Sequence, residues 1–224
     1  MISARDAAAA VADRLYQLRV QATHVVGRTP SERYRVGVLA PVLLLPGVYE
    51  TWQFLRPVAD RLNALGHPIH TLPQLGYNLL TIAASAELAQ RYLDENDLVG
   101  VVIVAHSKGG LIGKHMMVSD DRDGRIDRLI AVNSPFRGST LADWTPVRTL
   151  RAFSPRDETV MTLAANRAVN ARITSIFSRL DPLIPGGSEL DGATNIRLPM
   201  VGHFRPLGSE ALCAAVEDAI DRRR

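Results

Sequence analysis

The residue with the most chemistry gathered around it is Ser107. It stands in Ala105-His106-Ser107-Lys108-Gly109, directly after the apolar run Val101-Val102-Ile103-Val104-Ala105 and just before the apolar stretch Leu111 to Val118. A strand that turns this sharply into a helix needs small residues two before and two after the serine, and Ala105 and Gly109 meet that need. The turn lifts the serine above the sheet on strained backbone. The helix start beneath it offers unpaired N–H groups and a positive dipole end, both suited to an oxyanion. The chemistry implied is attack by an activated hydroxyl. The competing reading is that Ser107 merely caps the helix. A cap requires neither the small residue before it, nor the Gly109-Gly110 pair after it, nor an apolar strand upstream.

A serine hydroxyl is a poor nucleophile without a base. The chain has six histidines. His106 adjoins Ser107, but its side chain should point away across the turn, as a packing or shaping residue. His67 and His70 flank an early strand and would have to reach across the sheet. His115 lies on the helix after the serine. His203, in Val201-Gly202-His203-Phe204, satisfies the order serine, acid, histidine that this strand–turn–helix arrangement carries. The acid should then fall between Ser107 and His203, after a strand. Asp181 follows the apolar segment Ile173 to Ser178 and is placed to orient an imidazole. Asp191, followed by Gly192, is the rival, and either could be an ordinary turn aspartate. For an oxyanion, one donor is the Lys108 N–H, and the second should come from the Pro46-Gly47-Val48-Tyr49 turn. Val48 is the preferred donor there, with Tyr49 as an alternative.

These residues need a scaffold, and the sequence supplies one. Val42 to Leu45, Ile69 to Leu72, Val101 to Ala105, Leu129 to Val132, Ile173 to Ser178 and Ile196 to Leu198 read as strands. Several are continuous apolar runs, as strands buried on both faces require. Helices are expected over 4–22, 53–65, 80–95, 108–118 and 209–221. In the first of these Val11, Leu15 and Leu18 share a face. The βα rhythm predicts an α/β fold: a mostly parallel central sheet covered by helices on both faces, as a three-layer sandwich. The chemistry then sits beyond the carboxyl ends of the strands. Residues 1–39 form an N-terminal helix and lead-in, of which 23–37 is irregular, a linker or an edge strand pair. Residues 40–224 form the catalytic domain, with helical excursions over 136–170 that can act as a small lid. Tyr49, Trp52, Leu79 and Phe136 fall on loops around the strand ends and are candidate pocket residues, though each could equally be core.

Composition narrows the function classes. The chain has 224 residues, 46% of them hydrophobic and 22% charged, which suits one globular domain or two small ones. A formal net charge of +3 is too slight to imply nucleic acid, and the terminal Arg222, Arg223 and Arg224 read as a fraying helix end. Cys213 is the sole cysteine, so no internal disulfide can form. No apolar run approaches the roughly 20 residues of a membrane span. The N-terminus lacks the order of a signal peptide, so a cytoplasmic location is expected, with secretion possible if a leader is missing.

Together these residues resemble the α/β-hydrolase superfamily over roughly 40–222, and within it small bacterial lipases of the lipase class 2 type. The segments Ser175-Ile176-Phe177-Ser178 with Asp181, Leu190-Asp191-Gly192-Ala193-Thr194-Asn195 and Gly202-His203-Phe204 are similar to that family's acid-to-histidine stretch. The resemblance implies that Asp181 is the acid, that Asp191 is not, and that His203 is the base. It implies cleavage of a small-molecule or lipid carboxylic ester through an acyl-enzyme, with no cofactor. Lys108 departs from the methionine usual in those lipases. Its ammonium favours an anionic substrate or is simply a solvent-facing stem, the latter being preferred. Thioesterase, amidase or polyester depolymerase chemistry runs on the same three residues, and a non-catalytic binding protein could share the fold. Oligomeric state is not legible.

Overall fold

The structure is a computed structural model and describes residues 4–26 and 30–222. Six strands form one sheet: β1 (Val42–Leu45), β2 (Ile69–His70), β3 (Val101–His106), β4 (Ile126–Val132), β5 (Ile173–Leu180) and β6 (Thr194–Val201). Their order is β2-β1-β3-β4-β5-β6, and every pairing is parallel. Alternate residues of the central strands feed opposite cores, because side chains alternate across a strand. Leu43, Leu45, Ile103, Ala105, Leu129 and Ala131 enter one core. Val42, Leu44, Val102, Val104, Ile130 and Val132 enter the other. This is why the strands read as unbroken apolar runs.

Helices close both cores. On the first side lie α3 (Ile82–Glu95), α4 (Lys108–His115) and, after the short α5 (Arg148–Arg151), α6 (Glu158–Ala165). On the second lie α2 (Arg56–Ala64), α7 (Glu210–Asp221) and part of α1 (Ala4–Val26). Thr81 and Ser209 cap α3 and α7 by accepting from the N–H groups of Ala84 and Leu212, each at 3.2 Å. The result is the expected three-layer sandwich.

Three local expectations change. Within 30–37 the structure holds a single turn, Ser31–Tyr34, and no strand among the described residues; Gly27, Arg28 and Thr29 of that stretch, like Arg223 and Arg224, lie outside them. Strand β6 is longer than Ile196–Leu198, because it is the sheet edge and interleaves polar residues that an apolar-run criterion skips. The third change concerns α1. Its apolar stripe does not face the core: Val11, Leu15 and Leu18 are 62%, 62% and 60% exposed, while Asp13 on the opposite side is buried.

Candidate active site

At the end of β3 the chain enters the left-handed region at Ser107, with φ +52° and ψ −120°, and α4 begins at once. Such a conformation costs a non-glycine residue on the order of 1–3 kcal/mol, so the surroundings must hold it. They do so through the Ser107 N–H, which donates to the Val132 carbonyl at 2.9 Å, and through Gly109, where a Cβ would collide with the Leu45 carbonyl. The Ser107 hydroxyl makes no capping bond to α4. The capping alternative therefore explains neither the strain nor the side chain.

His203 follows β6, and its Nδ1 meets Asp181 Oδ2 at 2.6 Å, with both side chains buried. The second oxygen of Asp181 accepts the Leu183 N–H at 2.8 Å, which fixes the carboxylate. Asp191 is instead at the surface, paired with Arg167 at 2.8 Å. Burial is the largest influence on His203 and disfavours its charged form. The adjoining Asp181 carboxylate, with Glu50 and Asp13 beyond it, outweighs that and holds the imidazole pKa above its usual value. Ser107 and His203 face one pocket, yet among the described residues no hydrogen bond joins their side chains. That looseness is common in unliganded sites, where the contact tightens around substrate.

A second carboxylate–imidazole pair lies beside the first. Glu50 meets His106 Nδ1 at 2.8 and 2.9 Å, and the two imidazole rings stand 4.7 Å apart. His106 Nε2 donates to the His203 carbonyl at 3.0 Å. A carbonyl only accepts, so Nε2 carries hydrogen. Glu50 also accepts the Gly47 N–H at 2.9 Å. His106, expected as a shaping residue, thus ties the serine turn, the loop after β1 and the His203 loop together. Asn133, at the end of β4, donates to the same His203 carbonyl at 2.9 Å. From α1, Asp13 accepts the N–H groups of Phe204 and Arg205, each at 2.7 Å. Gly202, at φ +129°, is required there, since a Cβ would run into the Asp13 carboxylate. Sequence reading missed Glu50, Asn133 and Asp13 because each acts across a gap of many residues. The only local hint was a glutamate three residues beyond Gly47.

Three further histidines have other partners: His67 the Ala40 carbonyl, His70 the Tyr92 hydroxyl and His115 the Asp120 carboxylate. Of the two candidates in the loop after β1, the Tyr49 N–H is taken by the Tyr77 carbonyl at 2.8 Å. The Val48 N–H has no partner among the described residues. The Lys108 N–H opens α4, where no preceding turn can accept it. The Lys108 side chain is neither solvent-facing nor in the pocket. It is buried and donates to the Asn78 carbonyl at 2.8 Å, to Asn78 Oδ1 at 3.0 Å and to the Leu80 carbonyl. Burial lowers its pKa to about 8. Asn78 in turn donates to the Pro46 carbonyl at 2.7 Å, so this lysine anchors the loop that supports Val48.

The pocket has a volume of about 310 Å³ and a mostly apolar wall. Tyr49 lines it. Trp52, Leu79 and Phe136 do not. Trp52 packs edge-on against Tyr34, Leu79 lies half exposed outside the pocket, and Phe136 is in the core. The wall comes instead from Leu141, Leu150 and Phe153 of the 136–170 excursion, from Leu183 and Ile184 after Asp181, and from Arg14 and Gln17 of α1.

No family model matches the sequence, and no curated protein matches it. Many solved structures do match the fold. The chain is similar to the mature Bacillus licheniformis lipase BlEst2, with a TM-score of 0.62 and 12% identity over 86% of this chain and 94% of that one. It is similar to an extracellular α/β-hydrolase from a Paenibacillus species, with a TM-score of 0.59 and 17% identity over 83% of this chain and 100% of that one. The enol-lactonase of Burkholderia xenovorans gives a TM-score of 0.57 and 15% identity, over 83% and 93% of the two chains. The parallel sheet, its helical layers and these neighbours define the α/β-hydrolase fold, and this chain has it.

Proposed function

We propose that the protein is a serine hydrolase that cleaves carboxylic esters through an acyl-enzyme. The observation that carries this reading is the pairing of a strained, uncapped Ser107 with a buried Asp181–His203 couple on one apolar pocket. His203 Nε2 removes the Ser107 proton as Oγ bonds to the ester carbonyl carbon. The oxyanion that forms takes hydrogen bonds from the Val48 and Lys108 N–H groups, each worth about 3 kcal/mol in comparable sites. The tetrahedral species collapses, the alkoxide leaves, and it takes the proton from His203. Water then attacks the acyl-enzyme, giving its proton to His203, and Ser107 departs reprotonated. Asp181 keeps Nδ1 protonated and stabilises the imidazolium at each transfer. The excursion over 136–170 forms one wall of the acyl site.

The test is hydrolysis of p-nitrophenyl esters from acetate to palmitate, with fluorophosphonate labelling alongside. The expected result is turnover and label at Ser107, both lost in Ser107→Ala. Labelling without turnover of any ester would move the reading to a thioester or amide substrate. Absence of both would end the serine-hydrolase reading.

A further inference from the structure

Helix α1 carries more apolar surface than its contact with the core uses. It docks through a mixed side, where Asp13 holds the His203 loop, Tyr16 packs against Gly208, and Tyr16 and Val20 meet the second core. Its apolar stripe, Val11, Leu15 and Leu18, is left in solvent. Exposed apolar residues scattered singly need no explanation, but a contiguous stripe does. This stripe borders the pocket. Arg14 and Gln17 line the pocket from the same helix, and Val11 and Leu15 form a shallow groove with Leu183, which also lines it. Across the opening, Leu141 is exposed, Trp144 is 87% exposed, and Val147 is partly so.

On α1 and over 137–151 the exposed charged side chains are, among the described residues, all arginines, while Asp143 is half-buried and accepts the Ser154 hydroxyl. Arg14, Arg19, Arg137, Arg148 and Arg151 are exposed, and none pairs with a carboxylate among the described residues. The acidic residue on the exposed part of α1, Asp6, is paired with Arg179 at 2.6 Å. An apolar stripe flanked by unpaired arginines matches a lipid–water boundary. The apolar side chains enter the acyl margin and the guanidinium groups meet headgroup phosphates. A protein partner of ordinary composition offers no reason for that sign.

We propose that α1 and the Leu141–Arg151 segment form a docking face for an anionic lipid surface, seating the pocket mouth on it. This face does not depend on the ester-hydrolase reading, because its binding is measured without turnover. The full chain is incubated with vesicles of phosphatidylcholine, and with vesicles of equal parts phosphatidylcholine and phosphatidylglycerol. Sedimentation reads binding, and tryptophan emission reads depth. Trp144 supplies the signal, since Trp52 is packed on Tyr34. Binding to the anionic vesicles, with a blue shift that Trp144→Ala removes, is expected. It should weaken as salt screens the arginines. Leu15→Gln with Leu18→Gln should lower vesicle affinity at least about tenfold, by removing buried apolar area. Circular dichroism and ester turnover in solution should stay as in the parent chain, since neither residue lines the pocket. Arg148→Gln with Arg151→Gln should erode the preference for anionic vesicles. Three results would overturn the proposal. One is a parent chain that stays in the supernatant with anionic vesicles. Another is a Leu15/Leu18 variant that binds as the parent does. The third is a concentration-dependent dimer that the same variant abolishes, which would make a second copy the occupant.

Discussion

Two carboxylate–imidazole pairs stand side by side in this molecule, and they differ in where the second ring nitrogen points. In Asp181–His203 the carboxylate takes Nδ1 and leaves Nε2 toward the pocket that holds Ser107. In Glu50–His106 the carboxylate again takes Nδ1, but Nε2 is spent on the His203 main chain. The same two functional groups, with ring centroids 4.7 Å apart, are thus fitted for opposite duties. A proton can come and go on the first pair. On the second, every hydrogen-bonding position is occupied, and moving a proton would break the brace. The open nitrogen, more than the pairing itself, separates a base from a support.

That contrast is most sharply tested by removing each carboxylate. Asp181→Asn should lower kcat/KM on the order of 10⁴-fold, by favouring the wrong ring tautomer, while the fold persists. Under the proposed mechanism the raised His203 pKa places the acid limb of the parent chain's kcat/KM profile above the usual imidazole value. Any residual activity of Asp181→Asn should show that limb moved toward acid, because the main force raising the pKa is gone. Glu50→Ala should do the reverse, mainly costing stability. It strands the buried His106 and the Gly47 N–H, and urea unfolding should show a loss of about 3–5 kcal/mol. A Glu50→Ala protein as stable as its parent, or an Asp181→Asn protein as active as its parent, would break the comparison.

A smaller effect sharpens it from the side of a buried charge with no partner. Lys114 is fully buried on α4, and its ammonium finds no hydrogen bond, only the face of Phe136 with Nζ 5.9 Å from the ring centroid. Burial, reinforced by Arg167, lowers its pKa from 10.5 to about 8. Between those values the unfolded chain binds more protons than the folded one, so this group makes stability rise with pH from about 8 to about 10.5. Below about pH 8 its cost is present in full. Lys114→Met should therefore stabilise the protein near neutrality by about 1–3 kcal/mol and flatten that rise. Lys108, one turn and a half earlier, is held to a similar pKa but has three acceptors, so no gain is expected from its removal.

The sequence made the sheet and the serine turn legible because both are local. Val101 to Ala105 must be a strand buried on both faces, and Gly109 must be small, whatever lies elsewhere in the chain. The chain order also nominated Asp181 and His203. What stayed hidden acts at a distance: Glu50 reaches His106 across 56 positions, and nothing near either residue announces the other. The α1 stripe was legible as a shared face but not as an exposed one. Periodicity tells which residues point together, whereas direction depends on what the helix meets, and here Asp13 found the His203 loop first. The pocket residues fared unevenly for a related reason. Loop position brought Tyr49 to the cavity, but Trp52 and Phe136 were drawn into packing that only the assembled layers create.

The bonds from Asp13 to Phe204 and Arg205 close loops of 191 and 192 positions, nearly the whole chain. A helix early in the sequence waits for a segment that follows all six strands. Closing so long a loop is entropically costly, and it is rewarded only once both segments are in place. The strands can pair without it, but the loop that presents His203 acquires its final shape when these two distant segments meet. A truncated chain can therefore own a folded sheet and an intact serine turn and still lack a set histidine.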